Sequence, residues 1–186
     1  MDADWFYEAE EPWAGLKYME NTLMYVPFWA FTVEVTSLFK GVFERITPVI
    51  VKDGRIEKRY DWLVLARKGT WFPTREYDVP LKAKVPYDFR RIESFAKVLN
   101  SEVDETEAVE KARKEIEALH RFLAKEDVDK LIDWVTDFEF VETVYLHAPI
   151  WFKVYEYKKK RYSMILDGAT GTVIKGDIPA PEFGLV

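Results

Sequence analysis

His120 and His147 are the only histidines in a 186-residue chain that has no cysteine. A catalytic imidazole needs an orienting carboxylate and a nucleophile or water to act on. A histidine metal site needs a spacing such as H-x-x-x-H or H-E-x-x-H, and neither occurs. His120 falls in a helical stretch, and His147 stands just before Pro149. Both are read as polar tips, one at a helix rim and one at a strand end. None of Ser37, Ser94, Ser101 and Ser163 sits in G-x-S-x-G. The run from Gly171 to Asp177 faintly echoes a phosphate loop, but Asp177 stands where the essential lysine would follow Gly176. No G-x-G-x-x-G is present. The absence of cysteine excludes disulfides, zinc ribbons, thiolate nucleophiles and iron–sulfur clusters. No catalytic residue, metal or cofactor is therefore assigned, and the expectation is a non-enzymatic protein.

Four carboxylates are placed by a repeat. Residues 20–35 read ENTLMYVPFWAFTVEV, and residues 142–157 read ETVYLHAPIWFKVYEY. They share E-x6-P-x-W-x4-E, which sets Glu20, Pro27, Trp29 and Glu34 against Glu142, Pro149, Trp151 and Glu156. Such a match is read as an internal duplication. If the copies packed about a pseudo-twofold axis, the glutamates could converge for acid–base work or on a divalent ion. The plainer reading makes them solvent-facing strand positions.

The elements that position these residues follow from pattern. Both copies are rich in Val, Ile, Tyr, Phe, Trp and Thr, which suit a pleated surface. A helix interior would reject Pro27 and Pro149, so each copy is read as a long strand, broken or bent at its proline. A hairpin turned at Asp53-Gly54 is expected from ITPVIVKDGRIEKRYDWLVLA. After the second repeat, YEYKKKRY, RYSMIL, DGATG and TVIKGDIP read as an antiparallel meander with turns at Lys-rich, Asp-Gly and Thr-Gly sites. Residues 86–99 are read as a helix that buries Phe89, Ile92, Phe95 or Ala96, and Leu99. Asp104-x-x-Glu107 resembles a capping box, opening a helix with a stripe of Val109, Ala112, Ile116, Leu119 and Leu123. A short helix over 128–135 leads into the second repeat.

Apolar residues make up 48% of the chain and aromatics 16%, too many core formers for disorder. The net charge of −6 lowers the prior for a whole-molecule polyanion binder. The acidic opening MDADWFYEAEEPW does not read as a secretory signal, and the apolar run at 21–33 is too short and Pro-interrupted for a helical span. A cytoplasmic protein with no membrane partner is expected. Glutamine is absent and only Asn21 and Asn100 represent asparagine, while charged residues reach 32%. This is the pattern of a heat-adapted source.

The C-terminal run LHAPIWFKVYEYKKKRYSMILDGATGTVIKGDIP resembles a known arrangement. It has Pro-x-Trp, an aromatic strand, Lys-x-Tyr, a second strand, Asp-Gly-x-Thr-Gly-x-Val, then Pro. Those positions are Pro149, Trp151, Lys160, Tyr162, Asp167, Gly168, Thr170, Gly171, Val173 and Pro179. Similar segments occur in uncharacterised prokaryotic proteins, often beside zinc ribbons. The strand–turn–strand is also similar to PepSY-type domains, which have a cystatin-like helix on a curved sheet. The resemblance implies a small antiparallel sheet wrapped on a helix, in a protein-binding or inhibitory module. It spans less than a quarter of the chain.

Together these readings predict an α+β fold. Antiparallel sheets carry helices on one face, by duplication of a cystatin-like or PepSY-like unit. The expected lobes are 1–85, sheet-rich, and 86–186, helices plus a second sheet, or else one continuous domain. The leading function is protein interaction, with another protein or a second copy of the chain. It would run through a half-exposed ladder of Trp151, Lys153, Tyr155 and Tyr157, opposite the apolar Ile150, Phe152 and Val154. The alternative is single-stranded nucleic-acid binding by residues 52–91, which hold eleven basic and six acidic residues. Tyr60, Trp62, Trp71, Phe72, Tyr77, Tyr87 and Phe89 are interleaved among them. A third reading is a small-ligand pocket or enzyme using the repeat carboxylates or His147.

Overall fold

The computed structural model describes residues 17–69 and 71–176. The acidic opening and Pro179 lie outside them. In chain order the elements are β1 (Lys17–Phe43), β2 (Ile50–Leu65), β3 (Lys97–Val98), α1 (Glu105–Ala124), β4 (Lys130–Tyr157), β5 (Lys160–Asp167) and β6 (Val173–Gly176). Single 3-10 turns occupy Leu81–Ala83 and Phe89–Arg91. The strands form one mostly antiparallel sheet in the order β2-β1-β4-β5-β6, and the short β3 pairs β1 in parallel. The fold is α+β, with α1 as the one α-helix among the described residues. No helix among them is long and apolar enough to cross a membrane.

The chain forms two compact units, each built from discontinuous segments. The first is Met1–Pro27, Gly69–Ser101 and His147–Val186; the second is Phe28–Lys68 and Glu102–Leu146. Both repeat copies lie in the longest strands, β1 and β4. Neither strand is broken at its proline. Pro27 falls between the stretch of β1 paired with β3, at Met24 and Tyr25, and the stretch paired with β2, which starts at Phe28. Pro149 immediately precedes the stretch of β4 paired with β5, which starts at Ile150. A proline lacks the ladder donor, so it is tolerated where a strand edge has no partner.

In the second unit, strand alternation turns Phe31, Val33, Val35, Trp62 and Val64 onto Ala108, Ala112 and Ile116 of α1. The helix starts where Asp104 accepts a hydrogen bond from the Glu107 amide at 2.8 Å, as the capping pattern predicts. Its buried line is Ala108, Ala112, Ile116, His120 and Ala124. The expected stripe was centred one position away, with Ala112 and Ile116 in common. The small alanines let the helix lie close to the sheet, and the bulkier Val109 and Leu119 pack at its flanks.

Three local expectations are overturned. Asp53 and Gly54 lie inside β2, paired with Lys40 and Phe39, and the reversal falls at residues 44–49. The ring of Phe39 fills the space above Gly54, where a Cβ would overlap it. Glycine here admits a close approach instead of making a turn. Residues 86–99 form a single 3-10 turn, capped by the Asp88 side chain, and no helix. Their backbone is drawn to β1, where the Leu99 amide donates to the Tyr25 carbonyl at 3.0 Å. Phe89 and Phe95 gain no buried face, which a short helix needs for stability. Residues 130–135 begin β4, not a helix; the Asp129 amide donates to the Val42 carbonyl at 2.8 Å and docks the chain beside β1.

In the first unit the meander is as read. β4 and β5 are joined through Lys158 and Lys159, both at positive φ (48° and 64°), as a two-residue hairpin of matching twist requires. The next turn is held by Asp167, whose carboxylate accepts from the Ala169 amide at 2.9 Å and the Thr170 hydroxyl at 2.8 Å. Gly171 takes the left-handed conformation, φ 74°.

Candidate functional site

The first unit places Trp151, Lys153, Tyr155 and Tyr157 on the last part of β4. The ladder is not half-exposed. Tyr155 is fully buried, stacked on Tyr162 at 5.5 Å and packed with Met164 and Leu166. Lys153 is 3% exposed, its ammonium 5.6 Å above the Trp151 ring. The opposite face is covered as well, since Ile150 is fully buried and Phe152 lies 5.9 Å from Trp71. Alternation sorts the two faces correctly, but both are packed. Trp151 and Tyr157 keep partial exposure.

The exposed aromatic surface of this unit lies on the irregular segment between Gly69 and Ser101. Tyr87, Phe89 and Phe95 are 59%, 69% and 67% exposed. Phe95 stacks over Trp151 at 6.2 Å, and Tyr87 lies 5.5 Å from the His147 ring. The His147 Nε2 bonds the Leu99 carbonyl at 3.1 Å, which ties this segment to β4. Glu93 accepts a hydrogen bond from the Tyr25 hydroxyl at 2.8 Å. Burial and that carboxylate push the Tyr25 phenol up to about 12. Exposed Lys82, Lys84, Arg90 and Arg91 lie on the same stretch. Arg90 is held by Asp88 at 3.1 Å, and that contact lowers the Asp88 pKa. Sequence patterning places Tyr87 and Phe89 in the nucleic-acid alternative but gives Phe89 and Phe95 to the buried side of a helix, so it does not show this exposed surface.

Of the aromatics in 52–91, Trp62, Phe72 and Tyr77 are buried. Burial, with Asp167 and Asp78 nearby, raises the Tyr77 phenol. Residues 52–68 belong to the second unit and the rest to the first.

His120 in the second unit is wholly buried, not a rim residue. Its Nδ1 lies 2.8 Å from the Ser37 hydroxyl and its Nε2 2.9 Å from the Tyr60 hydroxyl. Ser37 is also buried and reaches the Thr136 hydroxyl at 3.0 Å. Burial, with Lys58 nearby, lowers the His120 pKa and favours the neutral ring. Hydroxyls occupy both nitrogens, so the ring has neither the orienting carboxylate nor the accessible nucleophile of an acyl-transfer site. The network instead ties α1 to β1, β2 and β4. Its members lie 60 to 99 residues from one another in sequence across these bonds, beyond any local pattern.

The repeat carboxylates divide between the two units. Glu20 and Glu156 fall in the first unit, Glu34 and Glu142 in the second. Glu20, Glu34 and Glu142 are exposed, and Glu34 meets Arg59 at 3.1 Å. Among the described residues no group of three or more His, Cys, Asp or Glu side chains could hold a metal ion. No protein-family model matches the sequence, and no curated protein or solved structure matches it either.

Proposed function

We propose that the chain is a non-enzymatic interaction module, and that the exposed aromatic segment of the first unit receives a protein partner. The carrying observation is the exposure of Tyr87, Phe89 and Phe95 on one irregular stretch, with Phe95 stacked on Trp151 and Tyr87 against His147. Aromatic side chains bury about 150–250 Å² each, and Tyr, Phe and Trp are enriched where proteins meet. Long irregular segments in compact units are commonly binding elements. The PepSY-like C-terminal pattern and the amide-poor composition support a non-catalytic, heat-adapted protein in the same sense.

The test compares the wild-type chain with the variant Tyr87→Ser, Phe89→Ser, Phe95→Ser as baits in a lysate of the source organism. The expected result is a partner retained by the wild type and lost by the variant, at equal far-UV circular dichroism and melting temperature. A partner held equally by both would refute the reading. Light scattering on the free chain distinguishes a second copy from a different protein.

A second reading, binding of single-stranded nucleic acid, is favoured by Lys82, Arg90 and Arg91 standing beside Tyr87 and Phe89. It predicts oligothymidylate binding that weakens steeply with salt. Absence of binding at low salt removes it.

A further inference from the structure

Within the second unit, β4 lies beside β1: Phe31 contacts Phe140, Ser37 contacts Thr136, and Phe39 contacts Trp134. As one residue number rises the other falls, so the two strands run antiparallel. On its other side β4 pairs β5, but only from Ile150 onward. Among the described residues, the outer edge of β4 over 130–141 pairs with no strand. An exposed, long edge offers unpaired amides and carbonyls to an added strand. We propose that this edge takes an extended segment of a basic partner as a further strand of the sheet.

Charge selects the occupant. Alternation turns Trp134, Thr136, Phe138 and Phe140 toward α1 and exposes Asp133, Val135, Asp137, Glu139 and Val141 on the other face. Asp133 accepts only from the adjacent Trp134 amide, at 2.8 Å, and Asp137 and Glu139 meet no cation among the described residues. By strand rise, Asp133 and Asp137 are about 14 Å apart and Asp137 and Glu139 about 7 Å. A segment with Lys or Arg at alternate positions would face these carboxylates. Its remaining side chains would extend the ring surface of Trp134, Phe138 and Phe140, which Arg121 and Arg113 already cover at 4.8 to 5.2 Å. A second copy is disfavoured. Face-matched antiparallel β4–β4 registers centred on 135, 136 or 138 set two of the three carboxylates opposite each other, and one centred on 137 sets Asp137 opposite its own copy; either is destabilising. β2, the terminal strand, carries ion pairs of mixed sign, Arg55–Glu57 and Arg59–Glu34, which blunt its edge.

The experiment uses a twelve-residue peptide of alternating lysine and valine, with a glutamate–valine peptide as control. Binding is followed by fluorescence anisotropy, and amide hydrogen exchange locates it. The wild-type chain is expected to bind the basic peptide and to gain protection over residues 130–141. Asp133→Asn with Asp137→Asn and Glu139→Gln should weaken binding at least about tenfold at unchanged melting temperature. The single exposed change Asp137→Lys should act in the same direction if the triple variant does not fold. The proposal is overturned by no binding at low salt, by equal binding of the acidic peptide, or by binding without protection of 130–141. Protection of 130–141 in a dimer without peptide would also overturn it, giving the edge to a second copy.

Discussion

His120 makes stability depend on pH in a window that few other groups of this chain share. The ring is fully buried and its pKa is lowered, by desolvation first and by Lys58 second. The unfolded chain takes up a proton near pH 6.5, whereas the folded chain resists it to lower pH. Below about 6.5 the unfolded state therefore binds more protons, and stability falls as the pH falls. One such group gives a slope approaching about 1.4 kcal/mol per pH unit. The fall ends once the pH passes the folded-state pKa. His120→Leu keeps an apolar body in the site and removes two hydrogen bonds. Ser37 retains Thr136, and the partly exposed Tyr60 can reach solvent, so the cost at pH 8 is about 1–2 kcal/mol. Urea unfolding of both proteins from about pH 8 to about pH 5.5 should show the gap narrowing below about pH 6.5, because only the wild type carries the His120 titration. Parallel curves for the two proteins across that range would refute the argument that a neutral, desolvated His120 is built into the helix–sheet interface.

Gly54→Ala places a Cβ in the ring of Phe39 and should cost about 1–3 kcal/mol in chemical denaturation; Phe39→Leu should recover part of that loss if the clash is the cause. Tyr155→Ala removes a fully buried side chain from the Met164–Leu166 cluster, so it should lower stability by about 3–5 kcal/mol, visible in thermal melts. A Tyr155→Ala protein as stable as the wild type would mean that this side chain is surface and not core.

Local chemistry fixed much of the fold in advance. The β-branched and aromatic runs around Trp29 and Trp151 are strands because little else accepts so many stiff side chains with a proline among them. Asp104 and the alanine-containing stripe specify α1 at the right residues. Asp167, Thr170 and Gly171 carry their own turn. These signals act over a few residues, so a single sequence displays them.

Tertiary structure decided the rest, because the deciding contacts join residues far apart in the chain. Asp53-Gly54 has turn chemistry, yet Phe39 across the ladder turns the glycine into a clearance. Residues 86–99 have helical spacing, yet no surface is offered to bury Phe89 and Phe95, and pairing with Tyr25 draws the chain out straight. Tyr155 and Lys153 have the composition of a binding ladder, and Tyr162, Met164 and Trp151 cover them. Alternation tells which residues share a face of a strand. Only the packed structure tells whether that face meets water, and here it left the loop aromatics and the acidic β4 edge exposed.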